Sequence, residues 1–459
     1  MLRKYIGTAH FYREAMAIAI PVMLQQLIMS LVSLIDNFMV AGLGDISMAA
    51  VNVSNQLNFI FIVLINTVCA SGGIYLAQFK GAGDTGGMQN AFRFKVILGL
   101  VFSVLYFVCC HLIPGPMMAM MTMGNAAQDV IIVPGVQYIR LISFTLVPIA
   151  LSTAIGTSFR ETGRPMIPLL FSAAATLVNT FGNWILIYGN LGAPRLEVRG
   201  AAISTIIARV FELALFIAYT RRRRPPFFVR FREILNVKWA FIKNTLIKSA
   251  MIFASDLSWV SSETIVTALY NGRGGAETVA GMAAGWTLGN IFFLVFNGIN
   301  STTAVVIGSV LGAGRLDEAK KRAEWIKGGA VIFGAVVAVL GAGFSVLMIP
   351  IAFMNLTGEA RNIAFGMVSV ILLYMPLWAL LNAQFAISRA GGDTAMGMYA
   401  DVSVNSLLFV PGAFFIALAT DIGPVLMFAI LKLSDIVKYF VARYFLNKER
   451  WVRNLTRGA

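Results

Sequence analysis

The chain has 459 residues, 58% of them hydrophobic and 12% charged, well below the roughly 25% charged content of soluble domains. That composition excludes a soluble globular protein and leaves one that crosses a membrane many times. The net charge of +15 comes from 36 Lys and Arg against 21 Asp and Glu, but the cations cluster in short segments between apolar runs, which is the pattern of membrane orientation and not of nucleic-acid binding.

A helix needs about 20 apolar residues to cross about 30 Å of hydrocarbon. Runs of that length fall near 15–40, 49–79, 92–114, 130–157, 166–189 and 199–220, then near 246–271, 277–311, 326–354, 363–388, 394–418 and 423–446. The expected fold is therefore all-α and integral to the membrane, with twelve spanning helices. The first run is too long for a signal-peptide core of about 7 to 15 residues, so it reads as the first span. It carries Pro21, which removes a backbone hydrogen bond and permits a hinge, and fifteen residues later Asp36 in "SLIDNFMVAGLG". A carboxylate at that depth costs roughly 2.5–3.5 kcal/mol and marks a functional candidate. The even-numbered loops hold Lys80, Arg160 with Arg164, "RRRRPPFFVRFR" at 221–232, "GAGRLDEAKKR" at 312–322 and Arg389. Together with Arg3, Lys4 and Arg13 before the first span, they place both termini in the cytoplasm.

On the fifth span Asn179 and Asn183 are four residues apart and share one face. They suit either a cation site, as hard oxygen donors, or hydrogen bonding between helices. On the seventh span, "SDLSWVSSET" sets Asp256 and Glu263 two turns apart among serines, a face too polar for lipid. Arg209 and Glu212, three apart, can pair within the sixth span, and Lys432, Asp435 and Lys438 have the same spacing; these and Asp401, isolated on the eleventh, read as packing or entrance groups. Cys69, Cys109, Cys110, His10 and His111 lack ligand spacing, so a metal centre, a disulfide or a cofactor is not expected.

The halves of the chain repeat. "LAQFKGAGD" at 76–84 resembles "IGSVLGAGR" at 307–315, offset by 231, and "SFRETGRPM" at 158–166 resembles "ISRAGGDTAM" at 387–396, offset by 229. An even number of helices separates equivalent positions, so the copies share one orientation. The expected organisation is an amino-terminal lobe over 1–220, a cytoplasmic linker over 221–245 and a carboxy-terminal lobe over 246–459, with a substrate cavity between lobes.

Pro21 followed by "LIDNFMVAGLG", then "AQFKGAGD", "GTSFRETGRPM" and "NTFGNWILIYGNLG" leading into "VRGAAIST" resemble the multidrug and toxic compound extrusion (MATE) family of the flippase-like superfamily, over essentially the whole chain. The resemblance implies two six-helix lobes, alternating access, and export of organic cations or other amphipathic compounds in exchange for Na⁺ or H⁺. It implies a cation or proton site at Asp36, Asn179, Asn183 and a sixth-span threonine, Thr205. Some relatives have a second aspartate where Asn183 stands, which leaves the choice of ion open. Glu263 matches a seventh-span acid that relatives use in the second lobe. The tenth-span aspartate of those relatives is missing, and "YMPLWALLNAQFAISR" offers only Asn382 and Gln384. Glu263, Asp256, Asn382 and Gln384 are accordingly the substrate-cavity candidates. The expected partners are a small amphipathic substrate and membrane lipids, the expected location the cell membrane, and the expected state a monomer. A lipid-precursor flippase of the same superfamily is the alternative, although the central arginines are few. A membrane enzyme is disfavoured because no nucleophile, histidine pair or phosphate loop accompanies the carboxylates.

Overall fold

The computed structural model describes residues 5–123 and 128–458; Arg3 and Lys4, expected to flank the first span, lie outside the described residues. Among the described residues the regular secondary structure is all helical, as it must be where hydrocarbon offers no partner for a backbone N–H or C=O. Among the described residues, ten helical spans are long and apolar enough to cross a membrane: Ala9–Val40, Ile46–Ala82, Thr85–Leu112, Gln128–Glu161, Met166–Tyr188, Glu197–Arg223, Ala276–Gly312, Leu316–Ala352, Gly358–Ala390 and Ala395–Ala419. Two more complete the expected twelve. Trp239–Asn271, the seventh in chain order, is long enough at 33 residues, but its serines and acids lower its hydropathy. The twelfth is interrupted, running as Pro424–Leu431 and Ser434–Asn447.

The repeated sequence segments fold alike. Gly83, Gly163, Gly314 and Gly392 all have φ between +72° and +80°, a conformation glycine adopts without a Cβ penalty. In each case the glycine N–H reaches back three residues, as from Gly83 to Lys80 and from Gly314 to Leu311. The next N–H reaches back five, as from Asp84 to Phe79 and from Arg315 to Val310. This paired closure of a helix end recurs at Gly163 and Gly392.

Two compact units result, Leu24–Leu246 and Met1–Met23 with Ile247–Ala459. The division differs from the expected one at both ends of the amino-terminal lobe. Residues up to Met23 group with the carboxy-terminal unit, where the Phe11 ring meets Trp325 at 5.1 Å. There too Tyr12 Oη donates to the Trp325 carbonyl (3.2 Å), and Thr302 Oγ1 donates to the Ala15 carbonyl (3.2 Å). The segment expected as a linker is instead packed onto the amino-terminal unit. Phe227 is fully buried against Phe92 and Phe159 (ring centroids 5.3 and 5.1 Å), and Arg93 Nε donates to the Glu233 carbonyl (2.9 Å). Phe227→Ala should therefore cost about 3–5 kcal/mol, read as a lower melting temperature of the purified protein; an unchanged melting temperature would show the segment to be a passive tether.

In the amino-terminal unit the fifth and sixth spans touch through their backbones. A Cβ on Gly200 would lie 2.6 Å from the Leu186 carbonyl carbon, so only glycine allows this approach. Ser204 Oγ then donates to the Asn179 carbonyl across the contact (2.8 Å).

Candidate functional site

That close contact sets the geometry of a cavity of about 340 Å³ inside the amino-terminal unit. Asp36 from the first span, Asn179 and Asn183 from the fifth and Thr205 from the sixth all line it. Asn183 Nδ2 donates to Asp36 Oδ1 at 2.6 Å. The Asn179 amide is satisfied at both ends when its nitrogen faces the Asp36 carboxylate, 3.0 Å from Oδ2 and 3.2 Å from Oδ1, and its oxygen accepts from Thr205 Oγ1 at 3.2 Å. The four residues that the sequence set apart by up to 169 positions thus form one hydrogen-bonded group.

Asn183 is 1% exposed, and its Oδ1 is buried without a hydrogen-bond partner. An unmet buried acceptor costs about 1–3 kcal/mol, and beside a carboxylate it is a ready ligand for a positive ion.

Sequence reasoning did not place Arg209 in this cavity, yet it is part of the lining. Its guanidinium donates from Nη1 to Glu212 Oε2 at 2.9 Å, the local pair that the spacing predicts. The pair is also tied to the fifth span, because Ser172 Oγ donates to Glu212 Oε1 (2.7 Å) and accepts from Gln25 Nε2 (2.8 Å). With Asp36 and Glu212 charged, two carboxylates face one guanidinium, a net charge of −1. The walls around them include Phe59, Phe61 and Tyr138 and the amides of Asn55 and Asn58. An arginine three residues before a glutamate looks like routine helix pairing, so nothing local in the sequence signals the cavity.

The acidic residues of the second half have other partners. Glu263, expected to face a cavity, forms an ion pair with Lys432. Asp256 lies 3.3 Å from Arg389. Asp401, which looked isolated, is 3.4 Å from Lys438 and accepts from Ser255. Lys438 is also 3.5 Å from Asp435, whose Oδ2 accepts from Trp378 Nε1 at 2.8 Å. Asn382 Nδ2 donates to the Trp378 carbonyl (3.0 Å), and Gln384 is 2% exposed with its Oε1 unpartnered. The structure joins Glu263, Asp256 and Asp401 to basic side chains. A further pair that the sequence reading passed over, Lys95 with Glu161, is buried in the amino-terminal unit, where Lys95 Nζ also donates to Thr157 Oγ1 (3.2 Å) and Ser158 Oγ (3.3 Å).

Comparison with known proteins agrees with this architecture. The MatE family model matches twice, at residues 21–185 and 251–415, the same spacing as the internal repeat. A probable multidrug resistance protein NorM of Geobacillus kaustophilus is 30% identical over 186 residues, 40% of each chain. One from Neisseria meningitidis is 24% identical over 325 residues, 71% of this chain and 69% of that one. Thus the matched stretch spans less than half of the first relative and just over two thirds of the second. Among solved structures, a MATE protein in complex with MaL6 superposes with TM-score 0.82 at 18% identity, covering 97% of this chain and 98% of the other. An outward-facing multidrug resistance MATE family transporter of the MOP superfamily gives 0.79 at 19%, covering 95% and 96%. At these identities the structures share the fold. Because its family model covers most of the sequence, in two copies that coincide with the repeated halves, this chain belongs to the MatE family.

Proposed function

We propose that the chain is a secondary antiporter that exports organic cations or other amphipathic compounds in exchange for Na⁺ or H⁺ by alternating access. Members of this family are transporters and not enzymes, and the curated relatives named above are described as probable multidrug resistance proteins. The observation that carries the coupling step is the group around Asp36: one carboxylate, two amides and a hydroxyl from three helices on one cavity, with a buried amide oxygen left unpaired. Oxygen donors of this kind replace the water of a hard cation. A sodium ion beside Asp36 would turn the Asn179 amide so that its oxygen faces the ion, and would engage Asn183 Oδ1. A proton would neutralise the same carboxylate. In either case the net charge of the cavity rises from −1 to zero, and three helices change their mutual hydrogen bonds. Pro21, in the same helix as Asp36, is the place where that helix can bend. On this reading the protein sits in the cell membrane as a monomer with both termini cytoplasmic, amid lipids whose anionic headgroups hold "RRRRPP".

The test is dye efflux from vesicles containing the purified protein, with Na⁺ and proton gradients imposed separately. One gradient should drive saturable efflux and the other should not. If efflux ignores both, the antiport reading fails.

A further inference from the structure

The segment between the sixth and seventh spans turns large apolar side chains outward. Phe231, Leu235 and Trp239 are 84%, 81% and 73% exposed, although the backbone that carries them is fixed. Gln89 Nε2 donates to the Phe228 carbonyl (3.1 Å) and Arg93 Nε to the Glu233 carbonyl (2.9 Å). The Glu233 N–H closes a turn on the Arg230 carbonyl (2.9 Å), and the Asn236 N–H closes the next on the Glu233 carbonyl (3.1 Å). Pro225, Phe227 and Val229 are buried, so the segment has one apolar face for the protein and a second that the protein does not cover. The tail after the twelfth span stands at the corresponding point of the second repeat and does the opposite: Trp451 is 5% exposed and joins the core of its own unit. Exposed rings are thus not a general feature of these connections. Around them, residues 221–243 hold eight cations, the run at 221–224 with Arg230, Arg232, Lys238 and Lys243, all exposed, against a single acid, Glu233.

We propose that this segment is a membrane anchor: Phe231, Leu235 and Trp239 enter the adjoining leaflet, and the surrounding cations hold the headgroups of anionic phospholipids. Its position supports this. The sixth-span helix ends at Arg223 and the seventh-span helix begins at Trp239, so both ends of the segment lie where a span leaves the hydrocarbon. The bonds from Gln89 and Arg93, near the start of the third-span helix, keep the middle from reaching far into water. Amphipathic rings settle at headgroup level, and a guanidinium pairs with phosphate through two N–H groups at once. Apolar insertion and cationic attraction are each weak alone and anchor firmly together. A second copy of the chain would set one positive surface against another, so charge favours lipid as the cover. The inference goes beyond the antiporter reading, and only the choice of leaflet, the cytoplasmic one, rests on it.

The test places the full-length protein in nanodiscs of phosphatidylcholine, with or without phosphatidylglycerol. A bimane fluorophore is attached at Leu235→Cys or, for comparison, at Asp317→Cys on the exposed start of the ninth span. The unsubstituted chain, treated alike, supplies the signal of Cys69, Cys109 and Cys110 to be subtracted. Two quenchers report the surroundings: bromine on the lipid acyl chains and iodide in the water. With phosphatidylglycerol present, the label at 235 should be quenched by bromine and shielded from iodide, and the label at 317 should behave in the reverse way. Without it, the label at 235 should lose most of its bromine quenching and become open to iodide. Adding Arg230→Gln and Arg232→Gln should raise several-fold the phosphatidylglycerol fraction needed for the same quenching, each cation near the surface being worth about fivefold. All these side chains are exposed, so the substitutions leave the packed core alone. Iodide quenching at 235 in the anionic discs equal to that at 317 overturns the proposal, because the segment then faces water. Shielding from both quenchers, which would mark a protein as the cover, overturns it too, as does bromine quenching that ignores phosphatidylglycerol. Efflux that ignores both ion gradients would sink the antiporter reading and leave these quenching results standing, and the reverse holds equally.

Discussion

Asp36→Asn is expected to reduce ion-driven efflux to the passive leak while leaving a folded, membrane-inserted protein. The substitution is nearly isosteric, and an asparagine oxygen can still accept the hydrogen bond that Asn183 Nδ2 now gives Asp36 at 2.6 Å. Packing around the first, fifth and sixth spans therefore has no reason to change. What disappears is the carboxylate that accepts from Asn179 and Asn183, and with it the means of exchanging a charge. An amide can neither release a proton at working pH nor attract a sodium ion as a carboxylate does. The measurement is efflux from vesicles under whichever gradient drives the wild type, with circular dichroism and melting temperature as the control for folding. Wild-type efflux from a folded Asp36→Asn protein would show that coupling resides elsewhere.

The parts of this molecule that could be read from sequence are those that depend on local pattern. Hydrocarbon imposes a length and a composition on each span, so all twelve could be placed. The glycines at 83, 163, 314 and 392 were legible as a repeat because a left-handed residue at a helix end tolerates little else. Asn179 and Asn183 were legible because four residues is one turn. Partnership across the fold was not. Asp401 looked isolated because Lys438, its partner at 3.4 Å, comes 37 residues later on another helix. Lys432 has Asp435 three residues away and seemed to pair locally, but its ammonium lies against Glu263 in the midst of aromatic rings. The grouping of the first 23 residues with the carboxy-terminal unit also depends on tertiary packing, since Phe11 finds Trp325 more than 300 residues away. Arg209 combines the two cases: its pairing with Glu212 was readable, and its place in the cavity was not.

Lys432→Met is expected to be the most destabilising single substitution in the carboxy-terminal unit. The residue is 6% exposed. Its Nζ pairs with Glu263 and lies 4.7, 5.3 and 5.8 Å from the ring centres of Phe409, Phe428 and Trp378. Methionine fills much of the same volume and suits those rings, so the loss is one of charge and not of packing. Glu263 would remain with its side chain only 14% exposed, one oxygen already lacking a hydrogen bond and its counter-charge gone. Removing one member of such a pair costs about 3–5 kcal/mol, most of it from the charge left behind, whereas replacing both members can be nearly neutral. The double variant Lys432→Met with Glu263→Gln should therefore recover most of the stability that the single variant loses. Denaturation midpoints of the wild type, the two single variants and the double variant in one detergent supply the four corners of the cycle. If the single losses simply add, Lys432 is not the counter-charge of Glu263 inside the lobe, and that glutamate becomes free to serve as the substrate-cavity residue its position first suggested.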